Sequence, residues 1–269
     1  MVKRRQNKVC LLQAALLLVC LFSVGLLVWE MFVIPKKNRQ MAEQLKEEYT
    51  KEEDPEEQPP GDSSPEGTPK QAGEESGLPA LDLTEMQAQY PDIKGWLSIP
   101  GTNIDYPVLQ SGEAEAEYYL KRNYRGEWDA NGSLFLQWNC EVSKGQNLII
   151  YGHNMNSGAM FGNLDQFASA DYWREHKTVL FQTLQGTYTY EIVSVMKTDV
   201  SMFPFQQAEF AGKTELLDYV KQAKSLGLFG TGALCDDPEQ VLTLVTCSYE
   251  WESARNVVVA VRKTAVPVA

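Results

Sequence analysis

The sequence predicts a mainly β domain with helical inserts, a barrel or a sandwich, set behind an apolar N-terminal segment. Three observations carry this prediction. Eight short stretches rich in β-branched, aromatic and other apolar residues recur between residues 95 and 263, most of them separated by Gly, Asn, Asp or Pro. Only two inserts among them read as helical, about 158–170 and about 212–227. Near the N-terminus, residues 9–29 are apolar apart from Gln13 and Ser23.

Length and composition bound the rest. The 269 residues hold one large domain or two small ones plus accessory segments, and 43% hydrophobic residues suffice for a core. The net charge of −12 is unevenly spread. Residues 1–40 carry seven Lys/Arg against one acid, residues 41–77 three against twelve, and residues 78–269 fourteen against 23. Such a balance excludes a basic nucleic-acid footprint.

Residues 1–8, with Lys3, Arg4, Arg5 and Lys8, read as a cytoplasmic tail. Residues 9–34 read as a single-pass transmembrane anchor. At about 1.5 Å per residue, the apolar run 9–29 reaches about 31 Å as a helix, close to a bilayer's hydrocarbon core. It exceeds the about 7–15 residues of a cleaved signal's apolar region. Lys36, Lys37 and Arg39 follow, so charge alone orients the span weakly. The simpler topology puts the short tail inside the cell and the large domain outside.

Residues 35–77 read as an acidic linker rich in Pro, Glu and Gly. Its first part, 36–49, extends the polar side of the anchor as a helix. Residues 50–77 have too little apolar surface to fold and are read as a flexible spacer holding the domain off the membrane.

The folded domain is expected over 78–269. A short helix in "LDLTEMQAQY" is expected to be capped by Thr84 and ended by Pro91. Strands are then read in "GWLSIPG", "IDYPVLQ", "GSLFLQW", "NLIIYGH", "TVLFQTL", "TYTYEIVSVMKT", "QVLTLVTC" and "RNVVVAVRK". The insert at 212–227 places Leu216, Leu217, Val220 and Ala223 on one face, and core packing is favoured over partner binding.

Chemistry concentrates at strand ends. Of two histidines, His153 closes the apolar run "NLIIYGH" and opens a Gly/Asn loop, whereas His176 sits among charges and reads as a surface residue. Cys247 ends a second apolar run, and Arg255 opens a third eight residues later. A thiol attacks a carbonyl as its thiolate, which a neighbouring imidazolium stabilises. That imidazolium then protonates a leaving amine. A guanidinium keeps its charge and offers a fixed fork of donors to an oxyanion. Against this stand plainer readings: a buried thiol, a structural histidine, and an Arg255 ion pair with Glu250 or Glu252. Cys140, Cys235 and Cys247 allow one disulfide plus a free thiol, or three free thiols.

Three segments together resemble class B sortases: "TLVTC" at 243–247 with Arg255 and "NVVVAVRK", "IIYGHNMNSGAMFGNL" at 149–164, and "GWLSIPGTNIDYPVLQ" at 95–110. The resemblance runs from about 81 to 263. It implies a closed sortase-type β-barrel of about eight strands. It also implies a cysteine transpeptidase of Gram-positive cells, which cleaves a C-terminal sorting motif of secreted proteins after Thr. The acyl group then passes to a peptidoglycan amine. By the same resemblance Cys247 is the nucleophile, His153 the general acid/base and Arg255 the oxyanion or substrate clamp, while Leu120, Tyr151 and Thr246 line the motif groove.

Val245 departs from the small polar residue that relatives often carry two positions before the cysteine. No third catalytic member is selected among Asp105, Asp199 and Glu250. Class C sortases commonly carry an aromatic-plugged lid and a second, C-terminal span. Neither is expected here, where "TAVPVA" follows the last strand. Two other functions stay open: a thiol endopeptidase with water as acceptor, and a non-enzymatic membrane-tethered binding domain. No cofactor or metal is expected, since His153 and Cys247 fall short of the three or four ligands a metal needs.

Overall fold

The structure is a computed structural model that describes residues 13, 15–25, 28–29, 34–51, 79–233, 235–248 and 251–267. Eight strands close into a barrel: β1 (Ile93–Ser98), β2 (Asp105–Leu109), β3 (Leu134–Leu136), β4 (Asn147–Tyr151), β5 (Thr178–Thr183), β6 (Gly186–Thr198), β7 (Val241–Cys247) and β8 (Arg255–Pro267). Their order around the barrel is β1-β2-β3-β4-β7-β8-β6-β5. The pairs β2–β3 and β4–β7 are parallel, and the other six are antiparallel. All eight expected strands are present, and closure resolves the barrel-or-sandwich choice. Fully buried Trp96, Phe161, Phe181 and Tyr190 are among the largest side chains of the core.

Among the described residues four helices dress the barrel: α1 (Ile34–Glu48), α2 (Leu83–Gln89), α3 (Ala170–His176) and α4 (Lys213–Ser225). Asp82, not the expected Thr84, caps α2, its carboxylate accepting from the Glu85 amide at 2.9 Å. Both residue types suit a cap, and the choice turns on where the preceding chain enters. The expected insert at 158–170 is a 3₁₀ segment, Gly162–Ala168, followed by α3. On α4 the buried stripe is Leu216, Tyr219, Val220 and Ala223, the i, i+3, i+4, i+7 set, which leaves Leu217 off it. This helix packs on the barrel, as expected. Ser194 of β6 donates to the Ala223 carbonyl, while the Tyr219 hydroxyl meets Thr243 of β7 at 3.2 Å and accepts from Asn147 of β4 at 3.2 Å. The cover explains why β7 is buried along its length up to Cys247: a strand covered on both faces reads as an unbroken apolar run.

The N-terminal region differs from the sequence reading in one respect. Helix α1, expected to lie in the linker, is docked on the barrel. Asn38, Ala42, Leu45 and Tyr49 recur at helical spacing and are all buried. Lys46 donates to Asp105 at 2.6 Å, and Asn38 donates to Asp129 at 3.1 Å. Where α1 ends, the Lys51 amide donates to the Ala80 carbonyl and the Asp82 amide to the Tyr49 carbonyl. Lys51 and Ala80 therefore stand side by side. The polar composition of α1 hid its one apolar stripe. Of the expected flexible spacer 50–77, residues 52–77 lie outside the described residues.

Part of the expected span 9–34 also falls outside them. Residues 15–25 are helical, with Leu16, Leu17, Phe22 and Val24 exposed. Among the described residues no helix is long and apolar enough to cross a membrane.

Candidate active site

Three neighbouring strands, β4, β7 and β8, build the site. In the parallel β4–β7 pair Tyr151 lies opposite Val245. The pairing continues beyond the end of β4. Gly152 donates its amide to the Val245 carbonyl at 3.2 Å, and the Thr246 hydroxyl donates to the Gly152 carbonyl at 2.7 Å. Extending that register sets His153 beside Cys247. Across the antiparallel β7–β8 pair, Cys247 is the direct partner of Arg255. Directly opposed residues project from the same sheet face, with Cβ atoms about 4.5–5.5 Å apart. The register thus brings the segments bearing the three residues singled out by sequence to one edge of the barrel, although His153 and Cys247 are 94 positions apart.

His153 is held by a backbone group. Its Nε2 lies 2.7 Å from the Leu120 carbonyl oxygen. A carbonyl only accepts, so the Nε2 hydrogen occupies this bond and Nδ1 is the nitrogen left for proton exchange. Leu120 belongs to the 3₁₀ segment Tyr118–Lys121. That segment is clamped by the Ser133 amide, which donates to the Tyr119 carbonyl at 3.0 Å. Gly132, at φ +60°, passes against it so closely that a Cβ there would lie 2.2 Å from the Leu120 oxygen. Only glycine fits this approach without displacing the carbonyl that orients the imidazole.

Arg255 is partly buried and spends one donor, Nη1, on the Ala254 carbonyl at 2.9 Å. Among the described residues it forms no ion pair, and Glu250 lies outside them. Tyr151, on the same face two residues before His153, stacks on Phe135 with centroids 5.6 Å apart and donates to Gln137 at 2.7 Å. Burial pushes its phenol up to about 12, against the opposing pull of the Arg255 charge, so it stays a neutral hydroxyl. Thr246 differs from its expected place on a groove surface. It is 2% exposed, and its hydroxyl is engaged in joining β7 to the His153 segment.

The remaining titratable candidates lie elsewhere or serve other ends. Asp105 accepts from Trp96 and Lys46 beneath α1. Asp199 organises its own turn: bonds from the Ser201 hydroxyl and amide hold its carboxyl below the usual range. It also accepts from Trp251 of the β7–β8 loop at 3.3 Å. His176 packs at a tilt against Tyr172 and bonds the Pro100 carbonyl, and is half-buried rather than fully exposed. Cys20, Cys140, Cys235 and Cys247 are all free. Burial pushes the Cys140 thiol up to about 11, which makes it inert. Among the described residues no three His, Cys, Asp or Glu side chains converge as metal ligands.

One residue was missed from sequence. Asp165, in the 3₁₀ segment Gly162–Ala168, accepts from Asn154 at 3.0 Å and also from Asn256. Asn154 donates in addition to the Cys247 backbone carbonyl at 2.9 Å. No spacing in "GNLDQF" announces this, because the partners come from three separate segments.

Residues 97–263 match the Sortase domain family profile. The chain is 33% identical over 180 residues to Sortase B of Listeria monocytogenes, covering 66% of this chain and 72% of that protein. It is 27% identical over 172 residues to Sortase B of Staphylococcus aureus, covering 63% and 69%. Among solved structures, sortase B from B. anthracis in complex with AAEK1 superposes with a TM-score of 0.66 at 26% identity, covering 86% of this chain and 98% of that one. Clostridium perfringens sortase B gives 0.62 at 28% identity, covering 68% and 100%.

Proposed function

The chain belongs to the sortase family as a class B member, a cysteine transpeptidase, and from that premise we propose that Cys247, His153 and Arg255 are its reacting groups. What supports the assignment is register: β4 runs parallel to β7 with Tyr151 opposite Val245, each two residues short of His153 and Cys247, and β8 pairs Arg255 with Cys247.

The Cys247 thiolate attacks the backbone carbonyl carbon of a Thr in a C-terminal sorting motif of a secreted protein. The C–S bond forms as the carbonyl π pair moves onto oxygen. Arg255, with most of its fork unspent, donates to that oxyanion. Collapse breaks the C–N bond, and the His153 imidazolium gives its proton to the departing amine. The thioester is then attacked by a peptidoglycan amine, whose proton returns to His153 as the sulfur leaves. Leu120 acts through its carbonyl by fixing the imidazole, and Tyr151 lines the groove on the same face.

Anchoring by residues 9–34 is part of the proposal, with the N-terminus in the cytoplasm and the barrel outside. The apolar run and the exposed apolar side chains of Leu16, Leu17, Phe22 and Val24 support it. Incubating the enzyme with quenched sorting-motif peptides, with and without an added amine, tests the reaction. Ligated peptide in the presence of amine supports transpeptidation, and hydrolysis alone at every amine concentration refutes it.

A further inference from the structure

We propose that Asp165 is a positioning residue for the reaction, tying the His153, Cys247 and Arg255 segments into one unit. The inference rests on the reading of those three as the reacting groups. Each oxygen of the carboxylate serves a different segment. Oδ2 accepts from Asn154, the neighbour of His153, and Oδ1 accepts from Asn256, the neighbour of Arg255. Asn154 also donates to the carbonyl of Cys247 itself. One anion therefore links the residue next to the imidazole and the residue next to the guanidinium, and through Asn154 the backbone of the nucleophile.

Chemistry makes this arrangement directional. A carboxylate accepts only, and a carboxamide nitrogen donates two hydrogens. Asn154 uses both of its hydrogens, one on Asp165 and one on Cys247. Asn256 is 4% exposed, so its amide depends on a protein partner. The loop that bears Asp165 is itself fastened to the histidine: the Phe161 amide donates to the His153 carbonyl at 3.0 Å, and Asn154 bridges to Met160. Bonds to an ionised acceptor are the stronger kind. They hold the reacting groups where displacements of about 1 Å cost about a hundredfold in rate.

Asp165→Asn keeps the shape but turns one acceptor into a donor. Either one of the two bonds is lost, or Asn154 flips its amide and releases the Cys247 carbonyl. Asp165→Glu keeps the acceptor with one more methylene.

The test uses the full chain in detergent and compares wild type with D165A, D165N, D165E, N154A and the N154A/D165A double variant. Steady-state turnover of a sorting-motif peptide with an amine acceptor is one readout. The other is the rate at which iodoacetamide labels Cys247, followed by peptide mapping, which needs no substrate. We expect kcat to fall about tenfold or more in D165A and D165N, with KM within about twofold and D165E largely restored. The double variant falls no further than its worse single, because both act through one network. Labelling of Cys247 slows, since a misplaced His153 stabilises less thiolate. A pure charge effect has the opposite sign: removing a nearby anion favours the thiolate and speeds labelling. Unchanged kcat, multiplying losses or faster labelling each overturns the proposal. A wild type that labels at Cys247 but never ligates peptide sinks the transpeptidase reading instead, and the labelling comparison still decides the role of Asp165.

Discussion

Cys247 and Arg255 are direct partners across the antiparallel β7–β8 pair, so a thiol and a guanidinium leave one sheet face at the same level. The loop between them is closed by the Ser248 amide, which donates to the Ala254 carbonyl at 2.9 Å. Register, and not a flexible loop, therefore sets the distance between nucleophile and oxyanion donor.

If that fork is the oxyanion donor, a lysine cannot replace it. Arg255→Lys keeps the charge and loses the planar geometry, and kcat is expected to fall about a hundred- to a thousandfold with the melting temperature little changed. Steady-state kinetics beside a thermal melt decide the matter, and a kcat within a few-fold of wild type contradicts the role.

Gly132 supplies a second handle on the site without touching a reacting atom. Gly132→Ala drives a Cβ onto the Leu120 carbonyl and strains a left-handed backbone, a cost of about 1–2 kcal/mol before any clash. Both stability and turnover are expected to drop, because the carbonyl that orients His153 moves. A thermal melt beside steady-state kinetics reads both, and wild-type turnover in Gly132→Ala argues against a role for the Leu120 bond.

Docking of α1 makes the N-terminal helix part of the fold. Leu45 is 1% exposed against the barrel, and Leu45→Ala is expected to destabilise by about 2–5 kcal/mol. Replacing residues 52–78 with a short Gly/Ser connector is expected to leave the melting temperature nearly unchanged, because Lys51 already bonds Ala80 and loop closure depends weakly on length. Both results follow from calorimetry. A neutral Leu45→Ala indicates an undocked helix.

Alkaline pH has a signed effect. Burial raises the Cys140 thiol to about 11 and the phenols of Tyr151 and Tyr219 to about 12. These groups hold their protons in the folded state at pH values where the unfolded chain releases them. Their contribution is complete below the unfolded values near 9 to 10 and is lost as pH climbs through the folded ones. Urea midpoints are expected to fall steadily above about pH 9, less steeply in Cys140→Ala. A midpoint flat to pH 11 contradicts the burial of these groups.

Much of this was legible in the chain, for identifiable reasons. All eight strands carry local apolar and β-branched patterns, and Cys247, His153 and Arg255 stand where those patterns stop. What local pattern cannot carry is neighbourhood. Nothing near Tyr151 says that β4 lies parallel to β7 with Val245 opposite. The same holds for Asp165, whose partners Asn154 and Asn256 are 102 positions apart, and for α1, whose single buried stripe lies in an otherwise charged helix. The resemblance put Thr246 in the motif groove, but alternation along a strand turns it to the face opposite its neighbour Cys247.

The most direct measurement is intact mass and peptide mapping of the enzyme quenched during turnover of a sorting-motif peptide. The account predicts an acyl adduct, the peptide fragment ending at Thr, on Cys247 alone, discharged by added amine and missing from Cys247→Ala. An adduct on another residue, or ligation that persists in Cys247→Ala, contradicts it.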